Sequence, residues 1–177
     1  MADTKECIVC QIVDEKVPSK KIYEDDDIVA ILDFNGANKG HSFVIPKEHF
    51  PILEQIPNHL VGKLFSVANK ISSAIFETLK VHGTNIFVAN GIPAGQKVAH
   101  VMINVIPRME KDGINLQWQP KQLGEEEMST VELKLKEEIG NVGIEEPAKK
   151  AVIAQPKKSE PISGEENYLI KQLRRIP

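Results

Sequence analysis

The spacing of hydrophobic residues divides the first 120 positions into short strands and one long helix. Between residues 58 and 80, apolar side chains recur every three or four positions, which predicts an amphipathic helix of about six turns. Strands are predicted as a pair around an acidic turn in residues 22–33, and singly in residues 41–46, 84–89 and 100–106. This order predicts an α+β fold, an antiparallel sheet with the long helix on one face.

The pattern changes after Pro120, and we expect three regions in the chain. Residues 1–120 form the folded domain, and residues 121–147 form an acidic helical extension whose glutamates at 125–127 suit the positive end of a helix dipole. Within residues 148–177, the first part, 148–164, has too little hydrophobic periodicity to fold alone, so we expect a linker there and a C-terminal anchoring peptide after it. The apolar stripe of the extension consists of Met128, Val131, Leu135 and Ile139.

Residues 165–177 place apolar side chains among basic ones, as anchoring peptides do. Two roles stay open for this segment. Either it packs onto its own domain or a dimer mate, as tied-down termini do, or it engages an unidentified protein or ribonucleoprotein partner. In an RNA complex, basic residues of this region would contact phosphates. These residues are Lys149, Lys150, Lys157, Lys158, Lys171, Arg174 and Arg175.

Composition restricts the class of protein only broadly. The 177 residues, 41% hydrophobic and 27% charged, can build one core of ordinary size and carry an appendage. A net charge of −3 gives no general attraction to nucleic acid. No apolar run approaches the roughly 18 residues of a membrane span, and residues 1–6 are polar, unlike a signal peptide. We therefore expect a cytoplasmic protein.

Two groups of residues carry candidate chemistry. His100, Met102 and Asn104 share one face of a predicted strand, because successive side chains of a strand alternate, and we expect this face to look onto a site. Cys7 and Cys10 form a Cys-x-x-Cys pair near the N-terminus. Such a pair can hold zinc, act as a redox dithiol or be merely two thiols, and the pair alone does not distinguish these roles.

Landmarks around the strand resemble those of the histidine-triad (HIT) family of nucleotide hydrolases and transferases. The landmarks are Gly40-His41, Gly95-Gln96 and Pro107-Arg108. The signature strand of the family carries three alternating histidines, and only the first, His100, stands here. The resemblance implies a HIT-like α+β fold for residues 1–120 and assembly as a homodimer.

The resemblance also implies a zinc site. Many members of the family complete the N-terminal cysteine pair with a histidine after the third strand and with the first triad histidine, which here are His49 and His100. Together with Cys7 and Cys10 they make a Cys2His2 set, a combination that zinc favours. Four protein ligands would close the site, so we expect the zinc to be structural.

A purine-nucleotide pocket is implied at five positions. Asp33 matches the acidic residue that binds ribose hydroxyls in the family, and Phe34 matches the apolar residue beside the base. His41 and Asn90 match two further landmarks of the pocket. Gln96 belongs to the Gly95-Gln96 landmark, and we expect its side chain to donate to a phosphate oxygen.

The residues that carry out the reaction of the family are replaced. Family enzymes attack phosphorus with the second triad histidine and support the phosphate with the third, and these positions are Met102 and Asn104 here. A thioether is a poor nucleophile toward phosphorus, and an amide cannot titrate. Ala89 and Lys97 also depart from the usual residues. We therefore predict a catalytically inactive protein that binds nucleotides or acts as a scaffold through its C-terminal region.

Two alternatives stay open. The first is a HIT-family nucleotide phosphohydrolase or nucleotidyltransferase with altered catalytic residues, for example with His41 recruited as a base. The second is an RNA or ribonucleoprotein binder that uses the basic residues of the C-terminal region.

Overall fold

The computed structural model describes residues 7–142, which contain a five-stranded antiparallel sheet and three helices. The strands are β1 (Lys21–Glu24), β2 (Ile28–Leu32), β3 (Ser42–Pro46), β4 (Gly83–Val88) and β5 (Ile103–Arg108). The helices are α1 (Ile8–Val13), α2 (Asn58–Leu79) and α3 (Glu125–Asn141), with short 3-10 turns at Leu53–Gln55 and Ile92–Ala94. The strands lie in the order β1-β2-β3-β5-β4. The predicted α+β fold is confirmed.

Each face of the sheet carries its own cluster of buried residues. Ile28 and Ala30 of β2 pack into the core beneath α2, whereas Val29 and Ile31 pack on the other face with Val9 of α1. This division follows from the two-residue period of a strand. Helix α1 has only six residues, too few for a helical period to be read from the sequence, and the hydrophobic pattern did not predict it.

Strand β5 begins at Ile103 rather than at residue 100. The backbone N–H of Val101 donates to the carbonyl oxygen of Phe50 at 2.8 Å, so Val101 bonds to the segment after β3, and the N–H of His100 donates to the carbonyl oxygen of Val98. The side chains still alternate as predicted. Val101 and Ile103 lie in the core beneath α2, whereas Met102 packs on the α1 face.

Gly40 fixes the approach of the chain to β3. Its φ of +91° lies in the region that favours glycine, and an added Cβ would stand 2.5 Å from Cδ1 of Leu79. A side chain at this position would strain the backbone and would require Leu79 at the end of α2 to shift.

Helix α3 is present as predicted but buries none of its residues. The four residues of its apolar stripe are 44% to 64% exposed. No helix among residues 7–142 has the length and apolar character to cross a membrane. The linker and anchoring peptide predicted in residues 148–177 lie outside the described residues.

Candidate functional site

Cys7, Cys10, His49 and His100 come together on the α1 face of the sheet. Cys7 caps the N-terminus of α1 and Cys10 lies within that helix, while His49 follows β3 and His100 precedes β5. One donor atom from each side chain lies within 4.8 Å of the other three. These four residues are separated by up to 93 positions, and the fold places them as one cluster that could hold a metal ion.

The distances between the donor atoms fit tetrahedral coordination. Cys10 Sγ lies 3.2 Å from His49 Nδ1 and 3.6 Å from His100 Nδ1, and Cys7 Sγ lies 3.6 Å from His100 Nδ1. Around a tetrahedral zinc ion, with bonds of about 2.3 Å to sulfur and about 2.0–2.1 Å to nitrogen, sulfur and nitrogen stand about 3.5 Å apart. These three sulfur–nitrogen distances are therefore close to those of a tetrahedral zinc site.

His100 is held in the form that a metal requires. Its Nε2 lies 3.0 Å from the carbonyl oxygen of Pro46, so this nitrogen carries the proton and donates it. The lone pair of Nδ1 then faces the two thiols, an orientation typical of ligating histidines. Burial lowers the pKa of His100, which keeps the ring neutral. His49 Nε2 is buried without a hydrogen-bond partner among residues 7–142.

Burial acts in the opposite direction on the thiol. It raises the pKa of Cys10 to about 11, and the hydrogen bond with Cys7 adds to the increase. A thiol in this setting stays protonated at neutral pH unless a cation stabilises the thiolate. Of the three roles open to the cysteine pair, metal binding is therefore the one that this cluster favours.

Beside the cluster lie two cavities that open on the same face of the sheet. One, of about 470 Å³, is lined mainly by apolar residues, including Ile8 and Ile12 of α1 together with Phe34. The other, also of about 470 Å³, has polar lining groups that include His41 and Asn104. Both cavities are lined by Asp33, Asn35, Phe43, Lys97 and Met102. Together they form one elongated pocket with an apolar half and a polar half.

His41 and Asn104 form a hydrogen-bonded pair in the polar half. The backbone N–H of Ala37 donates to His41 Nδ1 at 3.1 Å, which places the ring proton on Nε2. His41 Nε2 in turn lies 3.2 Å from Asn104 Oδ1 and donates to it. The amide nitrogen of Asn104 keeps both of its hydrogens for a ligand, since no residue in 7–142 accepts from it.

Asp33 stands where the two halves of the pocket meet. Its Oδ1 accepts the backbone N–H of Asn35 at 2.9 Å, and its Oδ2 lies 3.6 Å from His41 Nδ1. Phe34 beside it is 73% exposed. A ligand that fills both halves would pass the carboxylate at its middle and cover the exposed ring.

Gln96 and Asn90 are engaged elsewhere. Gln96 Nε2 donates to the carbonyl oxygens of Pro51 and Val98, at 2.7 and 2.9 Å, and Gln96 Oε1 accepts from Gly91 N. This leaves no side-chain hydrogen for a phosphate, contrary to the expected role of Gln96. The residue lines the polar half but acts by fixing the loop before residue 100.

Asn90 lines neither half of the pocket. Its Oδ1 accepts the backbone N–H of Leu53, and its Nδ2 donates to both carboxylate oxygens of Glu54, at 2.7 and 2.9 Å. These bonds lower the pKa of Glu54. The expected contact of Asn90 with a nucleotide is not supported by this position.

Two contributors to the pocket were missed by the sequence reasoning. The wall formed by Ile8 and Ile12 requires α1, whose shortness concealed it, although their spacing of four is helical. The N–H of Ala37 sets the His41 tautomer, and no pattern of side chains signals a backbone donor.

Comparisons with known proteins show which family this chain is similar to. The family profile described as HIT domain matches residues 14–111. An adenylylsulfatase of Arabidopsis thaliana is 41% identical over 107 residues, which are 60% of this chain and 54% of that protein. The chain thus spans about half the length of that relative.

Solved structures give the same assignment. The crystal structure of a HIT-family protein from Bacillus subtilis matches with a TM-score of 0.71 at 32% identity, covering 75% of this chain and 96% of that one. A zinc-bound histidine triad family protein from Mycobacterium smegmatis matches with a TM-score of 0.61 at 31% identity, covering 78% and 99%. Because the family profile spans more than half of its residues, this chain belongs to the HIT family.

Proposed function

We propose that this protein binds a purine nucleotide, holds a structural zinc ion and does not carry out the covalent reaction of HIT enzymes. One observation carries the proposal. The polar half of the pocket contains two imidazole rings, those of His41 and His100, and neither offers a nitrogen for attack on a bound phosphate. His41 is bonded at both nitrogens, and His100 faces Pro46 with one nitrogen and the thiols with the other.

Met102 and Asn104 occupy the positions where HIT enzymes carry their second and third histidines. A thioether cannot form the nucleotidyl intermediate, and an amide cannot shuttle a proton. The same hydrogen bonds weigh against His41 as a recruited base, because its single lone pair already accepts the N–H of Ala37. What remains is a binding site with a neutral donor at Asn104 and a cation at Lys97.

The pocket matches the parts of a nucleotide in order. The apolar half suits a base against Phe34, Ile8 and Ile12. Asp33 at the junction suits the ribose hydroxyls, which can donate to a carboxylate. The Asn104 amide and Lys97 suit a phosphate, since both are donors.

Zinc fits the metal cluster by ligand type, number and spacing. Two thiolates and two imidazoles make a tetrahedral set that zinc prefers. All four positions would be taken by the protein, so the ion would join α1 to β3 and β5 without activating water. The zinc-bound Mycobacterium smegmatis protein supports the choice of metal.

Calorimetric titration with AMP tests the binding half of the proposal, with Asp33→Ala as the variant that should lose affinity. Incubation with adenosine phosphoramidate tests the proposed lack of catalytic activity. Adenylyl sulfate is a second substrate to include, because the Arabidopsis relative is named an adenylylsulfatase. AMP release by the unmodified protein would favour the alternative of an altered HIT enzyme. Salt-sensitive binding of RNA in place of AMP would favour the nucleic-acid alternative.

We infer a homodimer formed through β4 and α2. Strand β4 lies at an edge of the sheet with one side unpaired among the described residues. Ile86 of this strand is 36% exposed, and Phe65 and Phe76 of α2 are 39% and 40% exposed. The two phenylalanines stand eleven residues apart and so share one side of the helix. Ser72, on the same side, bonds to Thr84 of β4. A second copy would cover this apolar surface and the open edge together.

A further inference from the structure

Helix α1 belongs both to the metal cluster and to the nucleotide pocket. Cys7 and Cys10 supply two of the four donor atoms, while Ile8 and Ile12 on the same helix line the apolar half of the pocket. We propose that metal occupancy regulates nucleotide affinity, because the metal ligands join two walls of the pocket to each other. This inference rests on the proposed function, since it names a regulator of that same site.

The second wall is the segment just before β5. His100 is a member of the cluster, and Lys97 and Met102 on either side of it line both halves of the pocket. His100 is 1% exposed and bonded to Pro46, so this wall is anchored in the core. A metal ion held by Cys7, Cys10 and His100 would therefore fix the wall formed by α1 to this second wall, which is anchored in the core.

Helix α1 is short, and apolar packing contributes to its attachment to the sheet. A helix of six residues is marginal in water by itself. Val9 is its one buried residue, and Cys7 at its N-cap makes no side-chain capping bond. Val9 and Val13 pack against the cluster that contains Ile31 and Ile45. Loss of the metal would remove the bonds by which Cys7 and Cys10 tie this wall to the rest of the cluster.

Coupling of this kind works in both directions. A nucleotide in contact with Ile8 and Ile12 stabilises the docked position of α1, and so does a metal bound to Cys7 and Cys10. Each ligand must then raise the affinity of the other by the same factor. Couplings between sites are typically about 5- to 150-fold, and we expect a factor in this range.

The test measures both affinities in the full-length protein. AMP is titrated into zinc-loaded and metal-free protein, and the zinc affinity is measured by chelator competition with and without AMP. We expect the two ratios to agree and to exceed about fivefold. Equal AMP affinity in the two metal states would overturn the coupling while leaving the proposed function intact. Failure of the zinc-loaded protein to bind AMP would instead remove the proposed function and this inference with it.

Hydrogen exchange separates a loosened α1 from general unfolding. Chelation should accelerate exchange at the amides of Ile8–Val13, while amides of β2 and β3 stay protected. Unchanged exchange in α1 on metal removal would contradict the proposal. So would global loss of protection, because α1 would then not be the element that responds.

Two variants make the comparison specific. Val13→Ala weakens the packing of α1 without altering a metal donor or a residue that lines the pocket. It should weaken AMP binding by the metal-free protein, and zinc should restore most of the affinity. Val67→Ala is the matched control, because Val67 packs in the core beneath α2, on the other face of the sheet. An equal effect of both variants on AMP binding would rule out a specific role for α1.

Discussion

His41 donates from Nε2 to the side-chain oxygen of Asn104 across 3.2 Å, and this bond leaves the Asn104 amide hydrogens to the pocket. The direction is fixed by the backbone, because the N–H of Ala37 occupies the other ring nitrogen. Asn104, which the family resemblance matches to the third triad position, is thus an oriented neutral donor. Such a donor can hold an anion but cannot deliver a proton.

Replacement of Asn104 by Asp should weaken the binding of AMP more than the binding of adenosine. The new carboxylate would keep the bond from His41 but would face the ligand phosphate with a like charge. We expect AMP affinity to fall by about tenfold or more, while adenosine affinity stays within about twofold of the unmodified protein. Parallel calorimetric titrations with AMP and adenosine measure both. Equal losses for the two ligands would mean that Asn104 does not face the phosphate.

The double change Met102→His and Asn104→His should restore a nucleotidyl intermediate. The new imidazole at 102 supplies the nucleophile, and the one at 104 can support the phosphate. We expect the rate of AMP release from adenosine phosphoramidate to be at least about 100-fold above that of the unmodified protein. This gain is smaller than the roughly million-fold loss of rate that follows removal of such a nucleophile. Product chromatography and mass spectrometry of the trapped adduct check this. Met102→Leu is the control and should stay inactive.

Removal of the metal should lower the free energy of unfolding. A ligand that binds only the folded state stabilises it by about 4 kcal/mol when its free concentration is 1,000 times its Kd. Urea denaturation of zinc-loaded and chelator-treated protein measures the difference. The Cys10→Ser variant should be less stable from the start and should respond little to the chelator. A chelator effect of equal size on that variant would show that the metal acts elsewhere.

Stability should depend on pH through Asp112. Hydrogen bonds from Arg108, at 2.6 and 2.9 Å, hold the pKa of this carboxyl well below its usual range. A depressed pKa in the folded state stabilises the protein above the unfolded pKa of about 3.9, and this contribution is lost as the pH falls toward the folded value. Asp112→Asn should therefore be less stable than the unmodified protein at pH 7. Urea denaturation between pH 7 and pH 2 should show the gap narrowing below about pH 4, and a constant gap would contradict the role of the charge.

Ile86→Lys should separate the proposed dimer. A charge at this exposed position of the β4 edge would be buried against the second copy without a partner. We expect a monomer in sedimentation at concentrations where the unmodified protein is a dimer. Ile92→Lys is the matched control, because Ile92 is 85% exposed and lies outside β4 and α2, and it should leave the mass unchanged. A monomeric unmodified protein would refute the interface directly.

Most of the secondary structure followed from local patterns. The helix predicted over residues 58–80 is Asn58–Leu79, and the strand predicted over residues 84–89 is Gly83–Val88. Periodicity sufficed in these segments because packing onto one core requires an apolar stripe at the helical or strand repeat. It failed for α1, which is shorter than two helical turns. Periodicity also placed the start of β5 too early. The hydrogen bond between Val101 and Phe50 joins residues that are far apart in the sequence, so the local pattern did not reveal it.

The sequence by itself determined which chemical groups are available. It supplied two thiols and two imidazoles that could hold a metal, and it has a thioether and an amide at the positions that the resemblance matches to the second and third triad histidines. The tertiary structure alone decided which groups are free to act. Gln96 donates to Pro51, 45 residues away, and so has no side-chain hydrogen left for a ligand, although it lines the pocket. Asn90 is bonded to Glu54, 36 residues away, and lies outside the pocket. Hydrogen bonds over such separations form only when the chain packs, and for that reason the bonds of Asn104 to His41 and of His100 to Pro46 had to be seen in three dimensions.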